Sequence, residues 1–69
     1  MTGTQERRLK DLCVERGWYL ARFSQEFLDD QYRYSVVVGG RIFRGMWSNS
    51  ESDAKESAAK KACQTFSGT

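Results

Sequence analysis

Hydrophobic and polar positions change period along the chain, and each change marks an element. Leu9, Leu12, Cys13 and Arg16 recur at i, i+3, i+4 and i+7, one helix face, with Arg16 contributing its aliphatic stem. Thr4 is placed to cap this helix and Glu6 suits its first turn. Gly17 suits a left-handed stop, so the first helix is expected from Gln5 to Arg16. From Tyr19 the period becomes two. Tyr19, Ala21, Phe23 and Phe27 face one way, and Leu20, Arg22, Ser24 and Glu26 the other. Asp29-Asp30-Gln31 reads as a turn. In a second strand Tyr32, Tyr34, Val36 and Val38 share one face, and Arg33, Ser35 and Val37 the other.

Gly39-Gly40 supplies the positive φ values of a tight hairpin. The third strand is expected over Arg41–Trp47, with Phe43 and Trp47 on one face and Ile42, Arg44 and Met46 on the other. A polar loop, Ser48-Asn49-Ser50, leads into a last helix capped by Ser50 or Ser52. Ala58, Ala59, Ala62, Cys63 and Phe66 give that helix a narrow, mostly alanine stripe that a flat sheet can approach closely. The expected fold class is α+β, in the order α-β-β-β-α. A three-stranded antiparallel sheet has both helices packed on one face and leaves the other wet.

Sixty-nine residues allow one domain, expected over residues 5–67, with residues 1–4 and 68–69 as flexible ends. A content of 39% hydrophobic and 13% aromatic residues fits a folded domain. The net charge of +2 is weak support for a nucleic-acid partner, so the placement of charges matters more than their sum. Cys13 and Cys63 fall on apolar stripes and read as buried thiols, although a bridge between packed helices stays open. The chain has no histidine, and its cysteine spacing suits no metal site. Neither cysteine has an evident base and no glycine loop cradles phosphate, so no catalytic residue, metal or cofactor is expected. No segment reads as membrane-spanning or as a signal peptide, and the chain is expected to be intracellular.

In this order and spacing the chain resembles the double-stranded RNA-binding domain family from Leu9 to Phe66. Leu9 to Gly17 is close to the family's LxELCxxxG, and Tyr34 to Val38 matches FxVxV. Gly39 to Gly45 follows xGxxFxG in outline, and Ala54 to Ala62 fits AKxxAAxxA. The resemblance implies the fold, and it implies RNA binding through three regions. On the first helix, Asp11 matches an acidic contact position, Lys10 or Arg7 loosely fills a polar one, and Arg7 and Arg8 can reach phosphate. In the first hairpin loop, Phe27-Leu28-Asp29-Asp30-Gln31 replaces the family's Gly-Pro-x-His in a shorter loop, so that contact is expected to be absent. At the last helix, Glu51-Ser52-Asp53-Ala54-Lys55 stands where the family has Lys-Lys-x-Ala-Lys. Lys55 alone survives, and Glu51 and Asp53 occupy the helix-dipole field that would draw a phosphate. Losing two of three clamp lysines flattens the salt dependence of binding by about 2 units. Lys60 and Lys61 are expected on a solvated face.

The reading is therefore a non-catalytic, RNA-associated module with weakened duplex binding, its candidate contacts being Arg7, Arg8, Asp11 and Lys55. The alternative is a protein-interaction or homodimerisation module. It would use the open sheet face and the third-strand edge through Val37, Ile42, Arg44 and Met46.

Overall fold

The sheet is an antiparallel meander in the order β1-β2-β3, and both of its turns are as short as a hairpin permits. In the computed structural model, which describes residues 3–67, α1 spans Thr4–Arg16, β1 Arg22–Leu28 and β2 Gln31–Val38; β3 spans Arg41–Arg44 and α2 Glu51–Ser67. Gly39 and Gly40 turn the second hairpin with φ of 59° and 76°. Asp29 and Asp30 turn the first with φ of 51° and 61°, and Gln31 already belongs to β2. Two left-handed residues match the right-handed strand twist, and aspartate tolerates that region better than most side chains. The expected flexible ends fall outside the described residues, except that Gly3 precedes α1 and Thr4 lies within it.

The alanine stripe behaves as its side-chain size dictates. Ala54, Ala58, Ala59 and Ala62 are fully buried and share one core with Tyr34, Val36, Val38 and Phe43 of the sheet and Leu9 and Cys13 of α1. Gly45, just past β3, lies so close to α2 that an added Cβ would meet the Ala58 nitrogen at 2.6 Å. At the far end Phe66 meets Trp18 and Phe43 edge-on, with ring centroids 4.8 and 5.4 Å apart. Trp18 packs against the core from outside any periodic stretch, which is why the sequence pattern passed over it. Both cysteines are buried. Burial pushes the Cys63 thiol above its ordinary value, against the opposing pull of Arg8.

Several sequence expectations need correction. The first strand starts at Arg22, and Tyr19 is 98% exposed, because the chain between Gly17 and Ala21 is still leaving α1. Phe27 shares a face with Tyr32, and their rings are 5.0 Å apart, yet it is 59% exposed because neither helix reaches that end of the sheet. Arg16 is exposed, with its guanidinium 5.4 Å from the Trp18 ring.

The third strand ends at Arg44 in a bulge. Val36 pairs with Phe43, and the Gly45 N–H still donates to the Tyr34 carbonyl at 2.9 Å. Two residues further along, Tyr32 bridges to Ser48 and not to Trp47, so Met46 and Trp47 together oppose Arg33. That extra residue turns Trp47 away from Phe43 to the outer face. There the Arg33 guanidinium lies 4.6 Å from its ring and pairs with Glu26 at 2.7 Å.

Candidate nucleic-acid interface

The starts of the two helices meet, and the contact between them is carboxylate to backbone. Gly3 precedes α1 and makes no side-chain cap. The cap comes instead from α2: the Gln5 and Glu6 N–H groups donate to the two Glu56 oxygens at 2.9 and 2.8 Å. An added Cβ at Gly3 would collide with that carboxylate, so the residue before the helix is glycine and not the expected Thr4. For α2 the cap is Ser50, whose Oγ accepts from the Asp53 N–H at 3.3 Å and whose carbonyl accepts from Ala54 at 3.0 Å. Glu51 and Asp53 therefore occupy the first turn of α2.

Lys55, the surviving clamp lysine, is already engaged. Its Nζ lies 3.3 Å from Glu6, 4.9 Å from the centre of the Phe23 ring and 6.0 Å from that of Tyr34. Glu51 is drawn inward as well, accepting the Tyr34 hydroxyl at 2.9 Å. Burial, then that hydrogen bond and the Glu51 charge, raise the Tyr34 phenol above its ordinary value of 10.0. The cleft at this end is lined by Glu6, Glu51, Asp53 and Glu56 against the one cation, Lys55. A phosphate approaching the α2 N-terminus would meet carboxylates where the helix dipole would otherwise attract it.

The other candidate residues do not converge on this tip. Arg8 and Asp11 line a groove between α1 and α2 with Glu15, Lys60 and Gln64. Lys10 lies on the opposite flank of α1 and shares a groove with Glu6, Phe23 and Lys55. Arg7 is exposed between the two flanks. The first hairpin carries no protruding loop, only the two-residue Asp29-Asp30 turn beside Phe27 and Leu28, each 59% exposed. On the outer sheet face Val37 and Ile42 stand directly opposite one another, 43% and 66% exposed, and Arg44 stands opposite Ser35. Met46 leaves that row at the bulge and lines a groove between the end of β3 and α2, together with Arg44, Ser57, Lys60, Lys61 and Gln64. Sequence reasoning did not join Lys60 and Lys61 to Arg44. The available signal was the i, i+3, i+4, i+7 spacing of Ser57, Lys60, Lys61 and Gln64 on one helix flank.

Among the described residues no three His, Cys, Asp or Glu side chains are placed to hold a metal ion, and no helix is long and apolar enough to cross a membrane. No family model matches the chain, and no curated protein matches it. Solved structures do. A structure holding both dsRBDs of DRB4 and their linker superposes with a TM-score of 0.80 at 17% identity, over 96% of this chain and 46% of that one. The dsRBD of human tRNA-dihydrouridine(20) synthase, in an alanine double mutant, gives 0.83 at 17% identity, over 96% of this chain and 70% of that one. The fold is that of the double-stranded RNA-binding domain. Arabidopsis HYL1, from a structure concerned with miRNA processing, gives 0.76 at 14% identity, over 93% and 97%. The chain thus spans less than half of the DRB4 structure and nearly all of the HYL1 one. At these identities the dsRBD likeness speaks for the fold, and the contacts have to be argued from this chain's own residues.

Proposed function

We propose that this chain is a non-catalytic, RNA-associated module of the dsRBD fold, acting inside the cell as one unit over residues 5–67. Its duplex binding is weakened at the α2 tip. One observation carries this reading: Lys55 is tied to Glu6 at 3.3 Å inside a cleft whose other charged residues are all carboxylates. The two-residue Asp29-Asp30 turn supports it, since nothing there can enter a minor groove. Arg7, Arg8 and Asp11 on α1 remain candidate RNA contacts, with Lys55 a reduced one.

The test is a double substitution, Glu51→Lys with Ser52→Lys, titrated with duplex RNA across a salt series. The variant is expected to bind more tightly than wild type and to steepen the log–log salt dependence by about 2 units. Unchanged affinity and slope would overturn the reading that the carboxylates at this helix end are what weakens duplex binding.

The second reading has its own observation. Val37, Ile42 and Met46 are 43%, 66% and 74% exposed beside the open edge of β3. Apolar side chains next to an unpaired edge suit a protein partner or a second copy. Sedimentation at high concentration checks the dimer: a wild type that stays monomeric removes it.

A further inference from the structure

The grooves of this domain differ in charge. At the start of α2, four carboxylates share a cleft with Lys55, the nearest of them Glu6. Between α1 and α2, Arg8 and Lys60 face Asp11 and Glu15. Between the end of β3 and α2, Arg44, Lys60 and Lys61 come together, and no lining residue is acidic.

That third groove is built by the end of β3 and one flank of α2. Gly45 lets the strand end approach the α2 backbone. Ser57 fixes the bulge by accepting the Met46 N–H on its Oγ at 2.8 Å. One and two turns further along the same flank, Lys60, Lys61 and Gln64 project beside β3. The Lys61 ammonium reaches across and donates to the Arg44 carbonyl at 3.3 Å. The ion pairs among the described residues are Arg33–Glu26 and Lys55–Glu6, so none of these three cations is in a salt bridge, although Lys60 also borders the groove that holds Asp11 and Glu15. Like charges gathered in one groove repel each other and are relieved by an anion. A chain of phosphates offers repeated anions to successive cations.

We infer that this groove, and not the N-terminal tip of α2, receives the phosphodiester backbone of RNA, with Arg44, Lys60 and Lys61 as its phosphate contacts. The inference rests on the RNA-associated reading above and says where on the domain that RNA lies. Such contacts position a strand without reading its sequence.

The whole chain is titrated with labelled duplex RNA in rising salt. The three phosphates neutralised in this groove contribute about −3 to the log–log slope of the wild type. Lys60→Glu with Lys61→Glu is expected to lower affinity about tenfold or more at low salt and to flatten the slope by about 2 units. Both side chains are exposed, and a melting curve matching wild type verifies the fold. The neutral pair, Lys60→Gln with Lys61→Gln, flattens the slope similarly with a smaller loss of affinity. Wild-type affinity and slope in both variants would overturn the groove and leave the RNA reading standing. A wild type that binds no RNA at low salt would overturn both. Variants that keep RNA binding but lose a poly-glutamate peptide would assign the groove to an acidic protein and overturn the inference.

Discussion

A methyl group at Gly45 would sit 2.6 Å from the Ala58 nitrogen and 3.0 Å from its Cα, and neither is a flexible atom that can step aside. The strand end and the helix must separate to admit it, loosening the Met46–Ser57 bond and the buried alanine row at once. Gly45→Ala is therefore expected to lower stability by about 1–3 kcal/mol in urea unfolding. Tyr34 carries a pH dependence of its own. Its neutral phenol donates to Glu51, and the folded state holds its ionisation above the ordinary value of 10.0. A group raised by folding contributes its full stability below the unfolded value and loses it as pH rises through the folded one. Urea midpoints are thus expected to fall above about pH 10 more steeply in wild type than in Tyr34→Phe.

At the scale of elements, the join between the helices stands out. Glu56 satisfies two N–H groups of α1 from one turn inside α2, so one side chain caps the start of α1 and ties it to α2. Glu56→Ala is expected to lower stability by about 1–2 kcal/mol, read as a lower thermal midpoint, and to leave Cys63 and Phe66 in place at the far end. No sequence rule announces such a cap, since the two partners lie some fifty positions apart. The elements themselves were legible because each has its own period: the 3.6 repeat of Leu9 and Cys13, the alternation from Tyr32 to Val38, the alanines of α2. The Trp47 placement was not legible. A strict period of two puts Trp47 with Phe43, and only the bulge opposite Arg33 transfers it to the outer face.

Taken as a whole, the molecule separates its charges. The shared helix start gathers Glu6, Glu51, Asp53 and Glu56, and the β3–α2 groove gathers Arg44, Lys60 and Lys61. A net charge of +2 conceals that division. The acidic tip could be read from the sequence, because helix numbering alone places Glu51 and Asp53 in a first turn. The basic groove could not, because it depends on how closely Gly45 brings a strand end to the Ser57–Ala58 turn of α2, more than ten residues further along the chain. Amide chemical shifts of the whole chain titrated with duplex RNA compare the two ends in one experiment. The account predicts that Met46, Ser57, Lys61 and Gln64 move and that Glu51, Asp53 and Lys55 stay. Shifts centred on Glu51 to Lys55, with the β3–α2 groove silent, would contradict it.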